Sequence, residues 1–151
     1  MNANLLVWKT GRESIARLLS RYSCEQLNRI PPGFSNHVVW NLGHLIVVQQ
    51  SLVYGLSGLE LKIPGRLHEL YKPGTHPGEP LDLEGIEELK TLLLTTVETT
   101  FADFEQGVFQ SFKSLTTGRG FHLETLEDAL AFNNFHEGLH TGTLVALTRF
   151  L

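Results

Sequence analysis

The chain has 151 residues, of which 42% are apolar, and it carries a formal net charge of −4 at pH 7. This length and composition are typical of one globular domain, here residues 1–151, with a full hydrophobic core. The acidic balance and the lack of a Lys/Arg cluster argue against nucleic acid as a partner. A single cysteine, Cys24, excludes an intramolecular disulfide, and we expect a buried small hydrophobe there rather than a nucleophile.

Neither a leader nor a membrane span is expected from the sequence. Residues 1–5 do not form a basic start followed by an apolar run. The most apolar stretch, residues 42–56, is interrupted by polar side chains and is too short to cross a bilayer. These features predict a soluble, cytoplasmic protein without a membrane partner.

Hydrophobic periodicity predicts four helices, of which the first two occupy the N-terminal third of the chain. Helix one is predicted over about residues 4–28, ending before the Pro-Pro-Gly run at 31–33. Helix two is predicted over about residues 36–56, with Ser35 as its N-cap. Residues 58–81 are rich in proline and glycine and are predicted to form a long loop.

Two capping signals mark the helices of the C-terminal half. Asp82 is a candidate cap for helix three, whose apolar residues recur at three- and four-residue steps. Thr125 and Asp128 resemble a capping box for helix four, which is predicted to reach the C-terminus. Because no strand pattern or repeat competes with this assignment, the predicted fold class is an all-α bundle.

Two histidines one helical turn apart, His136 and His140, are the strongest functional signal. An i, i+4 pair directs both imidazoles the same way, as two ligands of one metal ion require. With Glu137 the run also matches the zinc-protease string H-E-x-x-H. However, Thr141–Leu151 contains no His, Asp, Glu or Cys, so a conventional protease site is not expected and any third ligand must lie upstream.

Asn133, His136 and His140 also fall within the apolar stripe of helix four. Each polar side chain there would cost about 1–3 kcal/mol if it were left without a partner. Two interpretations remain open at this point. The three side chains serve a metal or a polar pocket, or the histidines are core residues that hydrogen-bond to backbone or water.

Helix two favours the metal, because it also directs polar residues into the bundle. His44 lies in the middle of this helix and is the predicted third ligand. Three imidazoles with open positions are the arrangement of catalytic rather than structural zinc sites. The predicted pocket residues are His37, a less favoured ligand, Trp40, for which packing is favoured over a substrate platform, Asn41 and Asn133.

Catalytic roles stay open, with Glu137, Asn41 and Asn133 as candidates. Glu137 points about 100° away from His136, which favours a salt bridge or a contact to a ligand over a general base. Asn41 and Asn133 are candidates for orienting substrate or metal-bound water. The predicted loop holds three residues that either close over the site or, as we expect, face solvent: His68, Tyr71 and His76.

The residues of helices two and four together resemble the DinB/YfiT-like metalloenzyme family, the DinB superfamily. The tryptophan shortly before a histidine is residues 40–44, Trp-Asn-Leu-Gly-His, and the late His-x-x-x-His-x-Gly is residues 136–142. The resemblance covers nearly the whole chain. It implies an up-down-down-up four-helix bundle, commonly a homodimer, with nickel, zinc or another divalent metal on His44, His136 and His140. Many members carry Gln where this chain has Thr143.

What the resemblance implies about reaction is broad. Characterised relatives include transferases that use bacillithiol, mycothiol or glutathione, and a maleylpyruvate isomerase, and similar domains occur in ergothioneine-synthesising enzymes. The implied function is a divalent-metal-dependent transferase or hydrolase acting on a small molecule. Since no cysteine lies near the motifs, a thiol would be an external low-molecular-weight cofactor. The alternative is a non-catalytic, metal-stabilised bundle that binds a ligand or a partner.

Overall fold

The computed structural model describes residues 2–151, which are mostly helical, as predicted. The α-helices of this range are α1 (Ala3–Leu19), α2 (Cys24–Leu27), α3 (Val38–Gln50), α4 (Gly65–Tyr71), α5 (Leu83–Glu105) and α6 (Leu126–Leu147). A π-helical turn, Ser51–Gly55, extends α3, and a 3₁₀ turn, Thr148–Phe150, extends α6. Two short strands, β1 (Leu115–Thr116) and β2 (His122–Leu123), pair in antiparallel fashion.

The four long helices pack around one another, and α3 lies in the interior. Both α1 and α3 contact α5 and α6. Every residue of α3 is buried, as expected for a helix that is apolar on nearly all sides. A polar side chain on α3 therefore has to find its partner inside the protein.

Three helix starts show how local sequence sets the boundaries. The Asp82 side chain accepts a hydrogen bond from the Gly85 amide, and Thr125 and Asp128 cap each other reciprocally, as predicted. The start of α3 differs from the prediction, because its N-cap is His37 and not Ser35. The Nδ1 atom of His37 accepts a hydrogen bond from the Trp40 amide at 3.0 Å.

The prediction of one helix over residues 4–28 is wrong. The chain leaves the helical path after Leu19 and begins α2 at Cys24. Ser23 and Gln26 form a capping box at this point, so the chain starts a new helix there instead of continuing the old one.

The prediction of a loop over residues 58–81 also needs correction, since α4 forms within it. Leu67 and Tyr71 lie four residues apart and are both buried, which gives the short helix an apolar face to pack on α3. Pro64 precedes the first helical turn and Pro73 follows the last, positions at which proline does not disturb a helix. In the part of the chain that the structure describes, no helix is long and apolar enough to span a bilayer.

Candidate metal centre

Three imidazoles from two helices converge at one point. His44 comes from α3, and His136 and His140 come from successive turns of α6. Each offers one ring nitrogen, and these three nitrogens all lie within 4.8 Å of one another. The ring centroids of His136 and His140 are 4.5 Å apart, and that of His44 lies 4.9 Å from His140.

The His44 imidazole is held by the backbone of α4. Its Nδ1 lies 2.8 Å from the carbonyl oxygen of Tyr71. Because a carbonyl oxygen only accepts hydrogen bonds, Nδ1 carries the proton and Nε2 keeps its lone pair for a metal. Trp40, one turn earlier, stacks on the ring with centroids 4.7 Å apart and an interplanar angle of 14°. Both neighbours keep the ring in one orientation.

The His140 imidazole is held by a side chain of α3. Its Nδ1 lies 2.8 Å from Oδ1 of Asn41. The amide orientation of Asn41 follows from its other contacts, because Nδ2 donates to the His37 carbonyl and to Oδ1 of Asn36, both at 2.9 Å. Its oxygen must then face His140, so Nδ1 of His140 carries the proton and Nε2 is free to bind.

The third imidazole has no such neighbour. Nδ1 of His136 is buried and has no hydrogen-bond partner within residues 2–151. A buried polar atom without a partner costs about 1–3 kcal/mol of stability, and a ligand bound to this nitrogen would remove that cost. Two imidazoles with free Nε2 atoms and a third with an unpartnered nitrogen form a donor set that fits a borderline-soft divalent metal.

Electrostatics keep all three imidazoles neutral, the form that binds metal. Burial, followed by the effects of His140 and His44, lowers the pKa of His136 to about 3. Burial, followed by the effect of His44, lowers the pKa of His140 to about 4. Burial also lowers the pKa of His44, against the raising effect of its hydrogen bond to Tyr71.

A cavity of about 710 Å³ opens directly on the three imidazoles. Its lining includes Pro73, after α4, and residues 115–119, which include β1 and the turn after it. Thr143 also lines the cavity. The apolar lining residues on α3, the π-turn and α6 are Val48, Leu52, Phe132 and Leu139.

The four predicted pocket residues do not line this cavity. His37 caps α3, whereas Trp40 and Asn41 lie behind the imidazoles that they contact. Asn133 is fully buried, with its Nδ2 3.5 Å from Oε1 of Glu137. The physical reason is that the Trp40, Asn41 and Asn133 side chains point into the protein and pack or bond against their neighbours, whereas His44 alone among the polar residues of α3 reaches the cavity.

Glu137, the general-base candidate, is buried among the helices. Its Oε1 accepts hydrogen bonds from Nε and Nη2 of Arg12 at 2.9 and 2.7 Å. The salt bridge is one of the two contacts predicted for Glu137, and its carboxylate is buried. The core-facing stripe of α6 passes through Glu137, and His136 and His140 stand half-buried at its edge, beside the cavity.

Arg12 was not found from the sequence, although a signal was present. The buried stripe of α1 is Leu5, Trp8, Arg12, Ile15 and Leu19, so a charge stands among apolar residues at three- and four-residue steps. Such a charge requires buried partners. Besides Glu137, the guanidinium donates to Thr96 Oγ1 at 2.9 Å and to the carbonyls of Leu93 and Leu45 at 3.1 and 3.0 Å.

The residues of the predicted loop separate into two groups. Tyr71 is buried and supplies the carbonyl that holds His44, so the expectation that it faces solvent was wrong. His76 is exposed, and His68 is half-buried beside Glu69. The tyrosine is drawn inward because α4 packs on α3, a contact that the loop prediction did not contain.

The fold and the centre define a helical protein with a candidate three-histidine metal site. The family model of the DinB superfamily matches residues 8–144, nearly the whole chain. The chain therefore belongs to the DinB superfamily, which confirms the resemblance of its motifs. Among curated proteins there is no significant match.

Proposed function

We propose that this chain is a divalent-metal-dependent enzyme that acts on a small molecule, with nickel or zinc on His44, His136 and His140. The observation that supports this most directly is the convergence of three neutral imidazoles on the wall of a cavity of about 710 Å³. A closed structural zinc site has four protein ligands, whereas three ligands beside a cavity leave a position open for substrate.

A divalent ion bound there would supply a Lewis acid that lowers the pKa of a thiol or of water, or polarises a carbonyl. The protein holds two of the ligands in place through the Tyr71 carbonyl and the Asn41 amide. Cys24 does not line the cavity, and its Sγ lies 3.4 Å from the Leu81 carbonyl. A thiol nucleophile is therefore an external low-molecular-weight cofactor.

The proposed function covers two reaction types, transfer to a thiol and hydrolysis. Of these, we favour transfer to a thiol. No carboxylate lines the cavity in the described part of the chain, and Glu137 is paired with Arg12. A nucleophile has to lose its proton before it reacts. A thiol does so more readily than water, because the ordinary pKa of a thiol already lies near 8.5, so thiol transfer depends less than hydrolysis on a protein base. The absence of a carboxylate in the lining fits the thiol-dependent reaction.

Metal content tests the centre itself. Protein purified without a histidine tag and loaded with zinc or nickel should hold about one ion per chain and melt several degrees higher than the metal-free form. The His140→Ala variant should lose both effects, and His76→Ala, which removes an exposed histidine, should keep them. Absence of stoichiometric metal and of any metal-dependent thermal shift would refute the centre.

Turnover separates the enzyme from the non-catalytic bundle. Metal-loaded protein is mixed with bacillithiol, mycothiol or glutathione and a panel of electrophiles, and thiol consumption is followed. We expect turnover that disappears on chelation and in His140→Ala. If the metal stabilises the fold while no thiol and electrophile pair reacts, the ligand-binding or interaction module is the better description.

The family resemblance supports two further parts of the proposal. We infer from it a homodimer and an up-down-down-up order of the four long helices, and from the sequence a cytoplasmic location. Sedimentation equilibrium of the purified chain tests the dimer, for which a single species of monomer mass would be the contrary result. The free Cys24 is compatible with a reducing compartment.

A further inference from the structure

The cavity beside the imidazoles contains an unexplained positive charge. Its lining residues include Arg119 and, within residues 2–151, neither a carboxylate nor another Arg or Lys. No salt bridge formed by the described residues involves Arg119. A cationic group at a cavity that lacks any anion favours a ligand that brings the negative charge itself.

The hairpin between α5 and α6 carries Arg119 to this position. Its turn is closed by hydrogen bonds from the Thr117 amide to the Phe121 carbonyl at 2.8 Å and from the Gly120 amide to the Thr117 carbonyl at 2.9 Å. Gly120 has a φ of 87°, in the left-handed region that favours glycine. The tight turn therefore places residue 119 beside the cavity, which the Arg119 side chain lines.

Arg119 and the three histidines line the same cavity, so that a single ligand can contact both. A guanidinium binds an oxyanion through charge-assisted hydrogen bonds. An anionic group of a ligand in the cavity would then pair with Arg119, while the opposite end of the ligand would face the histidines.

Apolar side chains also line the cavity. Phe132 is one of them, and it packs with Phe121 and Phe135 outside the cavity, whose ring centroids lie 5.2 and 6.1 Å from it. Leu139 on the cavity wall is exposed. Aromatic and aliphatic groups on a cavity wall are typical of a site that covers the apolar body of a ligand.

We propose that Arg119 binds an oxyanion, a carboxylate or a phosphate, of a small amphipathic substrate whose apolar body lies against Phe132 and whose reactive end reaches the three histidines. The inference rests on the proposed function and assigns its substrate class. Arg119 is then a specificity-determining residue, since its guanidinium recognises an end of the substrate that does not react.

Metal-free protein in the presence of a chelator gives a test that does not require the metal. Hexanoate, hexyl phosphate and hexanol are titrated while the imidazole resonances of His44, His136 and His140 are followed by NMR. At least one of the two anions should bind about three- to tenfold more tightly than hexanol, a modest factor because Arg119 is exposed to solvent. The preference should weaken with added salt.

Matched variants assign the preference to one side chain. Arg119→Met should remove it and leave the affinity for hexanol unchanged, and Arg119→Lys should keep part of it. Arg149→Met removes an exposed arginine that does not line the cavity, and it should behave like the unmodified protein. Equal binding of all three compounds, no binding of either anion, or a preference that persists in Arg119→Met would overturn the inference.

Cobalt-loaded protein separates this inference from the proposed function. Mercaptocarboxylates of increasing chain length are compared with the corresponding mercaptoalcohols, and thiolate-to-cobalt absorption reports binding. If cobalt does not bind, the metal centre fails, while the metal-free titration still decides on Arg119. If both thiols bind equally well at every chain length, the centre stands and the oxyanion site is refuted.

Discussion

The three histidines of the centre have equivalent chemistry but unequal neighbours. His44 is fixed by a backbone carbonyl, His140 by an amide oxygen, and His136 by no hydrogen bond from the described residues. A ligand whose second nitrogen is anchored loses less conformational entropy when it binds a metal. The anchoring residues should therefore influence metal affinity although they do not touch the metal.

Asn41→Ala tests this role of the amide. The substitution removes the acceptor of the His140 Nδ1 proton, and loss of such a partner typically lowers metal affinity by about 10- to 100-fold. Competition with a chromophoric chelator measures the change. Asn134→Ala is the control, because Asn134 hydrogen-bonds to the Asn4 carbonyl and not to a histidine. Unchanged zinc affinity in Asn41→Ala would contradict an orienting role.

Burial of the imidazoles also predicts how metal-free protein responds to acid. The pKa of His136 is about 3 and that of His140 about 4, against an ordinary value of 6.5. Below pH 6.5 the unfolded chain therefore binds protons that the folded chain does not bind. The contribution of the neutral histidines to the free energy of unfolding is fully present above pH 6.5 and is lost as pH falls toward 4 and 3. Each such histidine steepens the fall by up to about 1.4 kcal/mol per pH unit.

Urea unfolding with chelator present, at several values between about pH 6.5 and pH 5, measures this slope above the range in which most carboxylates titrate. The His136→Gln variant should show a shallower dependence of the free energy of unfolding on pH. His76→Gln should match the unmodified protein, since its imidazole is exposed. An identical slope in all three proteins would show that His136 does not resist protonation in the fold.

At the scale of elements, the contact between α3 and α4 depends on a missing side chain. Gly43 lies within α3, where glycine costs about 1 kcal/mol relative to alanine. A Cβ atom at this position would overlap the Tyr71 ring, with Cδ1 at 2.6 Å. The close approach of the ring to α3 accompanies the short contact between the Tyr71 carbonyl and His44. Gly43 therefore helps to position a candidate ligand that it does not touch.

Gly43→Ala should destabilise the protein and weaken metal binding together. Displacing a packed ring by overfilling the core costs about 1–3 kcal/mol, which exceeds the helix propensity gained. Gly138→Ala is the control on α6, because a Cβ atom added there would meet nothing within 4 Å, and it should be neutral or stabilising by up to about 1 kcal/mol. Thermal melts and zinc titrations measure both effects. A Gly43→Ala protein as stable as the parent would refute the close packing.

The same elements show which parts of the fold are readable from sequence. Caps are local, so Asp82 and Thr125 predicted two helix starts correctly. The helix α4 and the hairpin of β1 and β2 were not predicted, because both are short and depend on packing against distant segments. Periodicity identifies long amphipathic helices, whereas a seven-residue helix between prolines carries too few apolar positions for the pattern to emerge.

At the scale of the whole molecule, one buried cation connects all four long helices. Arg12 on α1 donates to Leu45 on α3, to Leu93 and Thr96 on α5, and to Glu137 on α6. The five N–H groups of its guanidinium match five hydrogen bonds, including two to the same carboxylate oxygen. Because every donor has a partner, the charge can remain buried among the helices.

One part of the site, the three histidines, could be predicted from the sequence, whereas the cavity beside them could not. The i, i+4 spacing of His136 and His140 and the mid-helix position of His44 predicted three side chains that the fold brings together. The cavity could not be predicted, since its walls come from α3, α6, the segment after α4 and the hairpin. Arg119 was missed for that reason, because its position follows from tertiary packing and not from a local pattern.

The connection through Arg12 predicts a large and non-additive effect on stability. Arg12→Met leaves the Glu137 carboxylate buried without its cation, which typically costs about 3–5 kcal/mol. Glu137→Met likewise leaves the Arg12 guanidinium buried without its anion. The double variant removes both charges and should be more stable than the sum of the two single losses implies, because well-packed apolar groups often replace a buried pair at little cost.

Urea unfolding of the four proteins in this cycle gives the coupling energy, which should reach about 2 kcal/mol or more. The exposed pair of Lys90 and Glu87, 2.8 Å apart, is the matched control, and its own cycle should give less than about 1 kcal/mol. If the Arg12 variant is too unstable to fold, the double variant still reports whether removing the second charge restores the protein. Equal coupling energies in the two cycles would show that Arg12 behaves as a surface charge. That result would refute the role of Arg12 in connecting the four helices.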